Sequence, residues 1–391
     1  MALFNIEEYQ GRVHKAKMSM AEKRIDILVV SDPANMNYLT GYDGWSFYVP
    51  QVVVLSIEED QPIWIGRGMD ANGAKYTTYL SNERIIGYAD DYVQSPIKHP
   101  MQVVADEIKN RGWDTKTIGT EMDAYYFSAK SFIELQKNLP NAKFHDANLL
   151  VSWVRIIKSA KEIEFMKKAG KIAERVMQKA IDTVAPGVRE CDAVAEIYRT
   201  QIRGTDTYGG DYTAFVPMLP SGEKTSIPHL TWTDEPYQIE TAVNMELAAC
   251  HNRYHSPLAR TLYLGKNPPS SLVDTSRVVV EGLNKALDAI KPGVTCEEIE
   301  LVWRKVIARA GLEKESRIGY SMGLNYPPDW GEHTASLRPG DKTTLAPNMT
   351  FHMILGMWMD DWGFECSESF CVTDKGHETF ADFPRKLFIK G

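Results

Sequence analysis

The residues of this chain best suited to moving protons gather in its second half. Six of the nine histidines, His229, His251, His255, His333, His352 and His377, fall there, and three lie earlier. Imidazole titrates near neutrality, so a cluster of this kind fits general acid–base work in a cleft. Ionisable and aromatic residues are interleaved with it, as in the run Asp329-Trp330-Gly331-Glu332-His333, with Trp232, Tyr254, Trp358 and Trp362 in the same half.

The elements that must position these residues form two patterns. Up to about residue 155, strand-like runs (Ile25–Val30, Val52–Ser56, Pro62–Gly66) alternate with helix-like ones such as Met101–Arg111, which predicts an α/β domain over 1–155. From Ala160 a long amphipathic helix is expected, with Ile163, Met166, Ala169, Ile172 and Ala173 at helical spacing, and it opens a second domain over 156–391. Within that domain Ala185-Pro186-Gly187-Val188 and Lys291-Pro292-Gly293-Val294 interrupt helical stretches in the same way. The echo predicts a duplicated domain. Each unit feeds strand pairs, Ala242–Ala249 with Arg260–Leu264 and Met349–Leu355 with Ser369–Thr373, so two pseudo-symmetric αβ units should enclose the cleft.

Bulk properties narrow the function. At 391 residues the chain exceeds one ordinary core, and 43% hydrophobic with 25% charged residues is a globular composition. A net charge of −8 without a basic, aromatic-studded stretch argues against nucleic acid as a partner. No run approaches the ~18–20 apolar residues needed to cross a bilayer. The N-terminus lacks the blocks of a signal peptide, so a cytoplasmic protein with no membrane partner is expected. Five cysteines without a C-x-x-C pair predict free thiols. A small molecule is the expected ligand.

The order of Ile157-Lys158-Ser159-Ala160-Lys161-Glu162-Ile163, two Pro-Gly junctions, and Ser221-Gly222 followed by Pro228-His229 resembles the pita-bread superfamily of methionine aminopeptidase and creatinase. The resemblance spans nearly the whole chain. It implies a creatinase-like N-terminal α/β domain followed by the pita-bread catalytic domain, with His229 as the proton-handling histidine. Metal-binding members of the superfamily supply two aspartates, one histidine and two glutamates to a pair of divalent ions. Aligned on Arg260-Thr261, this chain places Glu246 and Pro257 at the aspartates, Tyr320 at the histidine, Ile354 at the first glutamate, and Ser367 or, with one gap, Glu368 at the second. Proline and isoleucine carry no ligand atom, so the resemblance implies a site with no metal and no other cofactor.

Creatinase is a metal-free branch of this superfamily. The phrases Gly41–Trp45, Met245–Ala248, His251–His255 and Gly323–Glu332 are similar to those of a ring-opening hydrolase branch. That likeness implies a small zwitterion carrying a cyclic amidinium and a carboxylate. Glu246 would face the amidinium, as a nucleophile on its carbon or as a general base on water, and His229 would shuttle the proton. Glu332, His333 and His352 are candidates for orienting water or the departing amine. Arg338 is the candidate for the substrate carboxylate, with Arg253 and Arg260 as alternatives, and Glu368 and Trp330 complete the binding set. A flat cation packs against aromatic faces with ~0.5–2 kcal/mol per good contact. The aromatic loop of Tyr42, Trp45, Phe47 and Tyr48 is expected, on the resemblance, to reach the site of a partner subunit in a homodimer. Coupling to a downstream deacetylase is a further expectation. A creatinase-like amidinohydrolase, a metal-dependent Xaa-Pro peptidase and a non-catalytic binding protein stand as alternatives.

Overall fold

The computed structural model describes residues 3–391, and the chain divides into two compact units, Met1–Arg155 and Ile156–Gly391. In the first, strands β1 (Ile27–Val30), β2 (Val52–Ser56), β3 (Ile63–Arg67), β4 (Ile85–Tyr88), β5 (Thr117–Thr120) and β6 (Lys143–Asp146) form one mixed sheet in the order β4-β3-β2-β1-β5-β6. β1 and β2 are buried at every position, as continuous Ile/Val/Leu runs require when both faces of a sheet are covered. The helix expected near Met101 spans Pro100–Asn110 and packs Met101, Val104, Ala105 and Ile108 into the core of this unit.

The second unit opens with the helix Ala160–Thr183. Ser159 and Glu162 close a capping box at its start: the Glu162 amide donates to Ser159 Oγ at 3.4 Å, and the Ser159 amide donates to Glu162 Oε2 at 2.8 Å. Met166, Ala169, Ile172 and Ala173 are buried as the spacing predicts, but Ile163 is only half-buried and Phe165 takes an inward position instead. Gly170 is obligatory at its place, since a Cβ there would lie 2.1 Å from the Phe380 carbonyl oxygen.

The duplication is structural as well as sequential. Helices Ala160–Thr183 and Glu190–Arg203 are joined through Gly187 at φ +84°, and helices Ser270–Asp288 and Cys296–Arg309 through Gly293 at φ +89°. Left-handed φ is the reason both junctions use glycine. The first helix pair covers the hairpin of β7 (Thr241–His251) and β8 (Tyr254–Leu264). The second covers a sheet made from β9 (Gly319–Met322), β10 (Gly331–Leu337), β11 (Thr350–Trp358), β12 (Gly363–Val372) and β13 (His377–Thr379), ordered β10-β9-β11-β12-β13. β14 (Phe388–Lys390) returns to pair with β8 in parallel.

β8 and β12 meet at the centre through side-chain bonds to backbone. Ala259 N–H donates to Ser367 Oγ at 2.7 Å, Glu365 N–H donates to Thr261 Oγ1 at 2.9 Å, and Ser369 Oγ donates to the Pro257 carbonyl at 2.6 Å. These bonds run antiparallel, so β7, β8 and β12 share rungs: Glu246, Ala259 and Ser367 on one, Asn244, Thr261 and Glu365 on the next.

Candidate active site

Strand alternation decides which side chains face the interior between the two sheets. On β7, Val243, Met245, Leu247 and Ala249 enter the helix-side core, which turns Asn244, Glu246 and Ala248 the other way. On β12, Phe364, Cys366, Phe370 and Val372 are core residues, leaving Glu365, Ser367 and Ser369 inward. On β11, Phe351, Met353, Leu355 and Met357 are core, and His352, Ile354 and Gly356 lie on the inner face.

Glu246 is held rigidly by its backbone, paired with Ala259 across the hairpin and with Met218 on the other side at 3.0 and 3.1 Å. Its carboxylate has no hydrogen-bond partner among the described residues and is 7% exposed. Burial, reinforced by the charge of Asp329, pushes its pKa up to about 7. A second buried carboxylate stands beside it: burial raises Glu365 well above the carboxylate range, the Glu246 charge adds to this, and Lys314 opposes it. Lys314 is itself pushed down to about 8 by burial, donates to the Gly356 carbonyl at 3.0 Å and sits 4.1 Å from the centre of the Trp358 ring. Two desolvated carboxylates in mutual repulsion cannot both ionise readily, so at neutral pH the pair favours holding a proton.

Next to Glu246 a chain of hydrogen bonds crosses the inner face. Trp330 Nε1–H donates to Tyr320 Oη at 2.7 Å; Tyr320 Oη lies 3.0 Å from His352 Nδ1; His352 Nε2 lies 2.9 Å from Ser367 Oγ. Because Ser367 already accepts from Ala259, the chain has two consistent proton arrangements. With Nδ1 protonated, His352 donates to Tyr320 and accepts from Ser367, which frees the phenol O–H to donate elsewhere. With Nε2 protonated the Tyr320–His352 and His352–Ser367 bonds reverse, while Trp330 and Ala259 donate as before. Burial, then the Arg317 charge, lowers the His352 pKa to about 3, so the ring is neutral. Burial, then the Glu246 charge, keeps the Tyr320 phenol protonated. Phe215 meets Trp330 edge-on at 4.6 Å, and with Ala214, Ala248 and Tyr320 these rings make a small apolar wall.

The remaining sequence candidates are placed less centrally. His229 is exposed on the loop after the short turn Gly222–Ser226, and no hydrogen bond joins it to Glu246 among the described residues. Glu332 is buried in a paired contact with Lys158, whose Nζ lies 2.8 Å from each of its oxygens. His333 is half-exposed at φ +58° and bonds Asp329 Oδ2 at 2.7 Å. Arg338 is exposed just past β10. Arg260 is spent internally on Glu368 and on the carbonyls of Ala259, Ser367, Phe383 and Pro384. Glu368 faces away from Ser367 and accepts from Arg260 at 2.6 Å and Arg385 at 3.0 Å. In the first unit Trp45 is 59% exposed and Phe47 half-buried, whereas Tyr42 is 3% exposed and bonded to Ser46 Oγ at 2.5 Å.

Three residues of this site escaped the sequence reading. Glu365, Lys314 and Arg317, whose guanidinium sits 4.3 Å from the centre of the Tyr320 ring, carry no motif. Glu365 had one usable signal, its two-residue offset from Ser367, which puts both on one face of a strand.

The inner-face donors do not fit a two-metal centre. Alternation selects Ser367 over Glu368, so the five positions read carboxylate, proline, phenol, isoleucine and serine, and no group of three or more His, Cys, Asp or Glu side chains converges as a metal site among the described residues. Divalent ions of the peptidase type require several carboxylate and imidazole donors, which this set lacks.

Comparison with known proteins places these observations. Residues 164–374 match the model of metallopeptidase family M24, and residues 12–157 match the creatinase/prolidase N-terminal domain. The chain is 47% identical to ectoine hydrolase of Halomonas elongata, over 99% of this chain and 98% of the relative. It is also 47% identical to an uncharacterized hydrolase/peptidase of Sinorhizobium fredii, over the same shares of each. Among solved structures it resembles the dipeptidase PepE of Mycobacterium ulcerans, with TM-score 0.82 and 21% identity over 99% of both chains. A prolidase of Thermococcus sibiricus matches with TM-score 0.83 and 20% identity over 97% of this chain and 99% of that one, a likeness of fold alone.

Proposed function

The chain belongs to metallopeptidase family M24, with the creatinase/prolidase N-terminal domain and the pita-bread fold, and is a hydrolase; from that premise we propose that it opens the cyclic amidine ring of ectoine to an N-acetylated diaminobutyrate without a metal. The observation that carries the reading is Glu246: a buried carboxylate with no hydrogen-bond partner among the described residues, on the inner face where four of five ligand positions have lost their carboxylate or imidazole. The ectoine-hydrolysing relative from Halomonas elongata supplies the substrate class.

A cyclic amidinium presents its positive charge in a plane. Its arrival beside Glu246 favours the ionised carboxylate by simple attraction and reverses the upward shift caused by burial. Tyr320, Trp330 and Phe215 supply aromatic walls for the flat cation, and Arg317 or Arg338 answers its carboxylate. Glu246 then either attacks the amidine carbon or draws a proton from the water that does. His229, on its exposed loop, exchanges protons with solvent, and Glu332, His333, His352 and Glu368 hold the surrounding shell. The loop bearing Trp45 and Phe47, braced by Tyr42, serves a partner subunit in a cytoplasmic homodimer. A deacetylase consumes the acetylated product. No helix among the described residues is long and apolar enough to cross a membrane.

The metal-dependent Xaa-Pro peptidase alternative requires ligands that the inner face does not offer. The test is direct: purified protein is incubated with ectoine after exhaustive chelation and followed by NMR. Ring opening with well under one equivalent of bound transition metal is expected. Stoichiometric metal with activity abolished by chelation would sink the metal-free reading, and no acetylated product over hours would sink the substrate. Mass spectrometry of a quenched reaction separates nucleophile from base through a mass shift on the Glu246 peptide.

A further inference from the structure

Two buried carboxylates, not one, lie on the inner face. Glu246 and Glu365 occupy adjacent rungs of the β7-β8-β12 array, on the same inner face, locked through Ala259 and Thr261. Neither has a hydrogen-bond partner for its carboxylate among the described residues, whereas nearby in the same unit Glu368 Oε1 accepts from Arg260 and Glu332 is paired with Lys158. The charged and titratable groups around the pair are Lys314 from the segment before β9, which attracts Glu365, together with Asp329 and Tyr320, which lie beside Glu246.

We propose that Glu365 is the general acid of this site: it shares one proton with Glu246 and delivers that proton to the ring nitrogen that departs when the amidine opens. The inference rests on the ring-opening reading above and assigns the donor that the reading leaves open. Charge matching supports it. A substrate amidinium brings one positive charge to the buried pair, and a pair holding one proton answers with one negative charge. A fully ionised pair would bury an excess charge, and a fully protonated one would leave no nucleophile or base.

The step balances. Oxygen, from Glu246 or from water deprotonated by Glu246, forms a bond to the amidine carbon, and the C=N π pair moves onto nitrogen. One C–N bond then breaks with its electron pair remaining on the departing nitrogen, which takes the Glu365 proton. The lone pair of the second nitrogen restores the double bond to carbon. In the covalent route water adds next to that carbon, Glu246 leaves as carboxylate, and the two water protons pass to Glu365 and to the released amine. In the direct route the second water proton, left on the hydroxyl, passes to the released amine as the amide carbonyl forms, and Glu246 hands its captured proton to Glu365. Either way one water is consumed, an amide and an ammonium are formed, and the pair again holds one proton.

The experiment compares the wild type with Glu365→Gln and Glu365→Asp, using ectoine from pH 6 to 9 and infrared spectroscopy without substrate. Expected for Glu365→Gln are a fall in kcat of about 100-fold or more, KM within a few-fold, and loss of the alkaline descent in the kcat profile. Glu365→Asp, which keeps an acid, should recover part of the rate. The wild type should show the carbonyl stretch of a neutral carboxylic acid at pH 8, absent from Glu365→Gln. A Gln variant with wild-type kcat, or one altered only in KM, overturns the assignment, as does absence of the acid band from the wild type. If the wild type shows the band but leaves ectoine untouched, the ring-opening reading falls, and the donor role falls with it while the protonated pair stands. Should the Gln variant fail to fold, the wild-type band and the Asp variant still decide.

Discussion

Lys158 Nζ lies 2.8 Å from both carboxylate oxygens of Glu332, and the two side chains are 1% and 0% exposed. A buried, two-point ion pair is costly to break from one side, because the surviving charge remains desolvated. Lys158→Met should destabilise the fold by about 3–5 kcal/mol in chemical denaturation, and the double variant Lys158→Met/Glu332→Gln should recover part of that loss. If Glu332→Gln alone abolishes turnover while leaving stability intact, Glu332 belongs to the chemistry and not to the scaffold.

Glu246 carries a stability cost with a defined pH window. Its folded pKa, about 7, lies above its ordinary value of 4.5, so the folded state binds the extra proton between those limits. Stability is therefore undiminished below pH 4.5 and declines as pH rises through about 7. Glu246→Gln should eliminate turnover and at the same time raise stability at pH 8 by about 1–3 kcal/mol, with the gain shrinking toward pH 5. Urea melts at the two pH values check it, and an unchanged or lowered stability at pH 8 contradicts the burial argument.

In the proposed ring opening the same group must be ionised. The rate constant kcat/KM, which reports free enzyme, should climb with pH through about 7 as Glu246 loses its proton. A flat profile between pH 5.5 and 8 would mean that another group starts the reaction.

Tyr320 connects Trp330 and His352 through a single oxygen. Tyr320→Phe leaves an indole N–H and an imidazole nitrogen buried without that partner, and an unsatisfied buried polar group costs about 1–3 kcal/mol. Denaturation midpoints should fall accordingly. Unchanged stability would indicate that water replaces the phenol.

Glu368 binds Arg260 and Arg385 on the far side of β12. Glu368→Gln should cost about 3–5 kcal/mol of stability and leave KM for ectoine within a few-fold. A large rise in KM with no loss of stability would return Glu368 to the binding set.

Much of the fold was legible from local pattern. The apolar runs of β1 and β2, the helical spacing after Ala160 and the paired Pro-Gly turns are signals carried within a few residues of each other, and each formed the element it implied. The site was legible only where a motif anchored it. Glu246 and Tyr320 could be found by alignment on neighbouring phrases, whereas Lys314 and Arg317 sit in a segment whose composition says nothing about what it will touch.

By itself the sequence determined two units, a duplicated second unit and the residue types at four of the five aligned ligand positions, because side-chain type and periodicity are local properties. Tertiary structure alone decided that Ser367 and not Glu368 faces inward, that Lys158 neutralises Glu332, and that Glu365 stands one rung from Glu246. Those outcomes depend on the register between β7, β8 and β12 and on contacts such as Lys158 to Glu332, which span 174 positions. Local composition carries no record of such a register. It is settled by burying two helix-covered faces at once, and that burial left the two carboxylates together on the opposite, inner face.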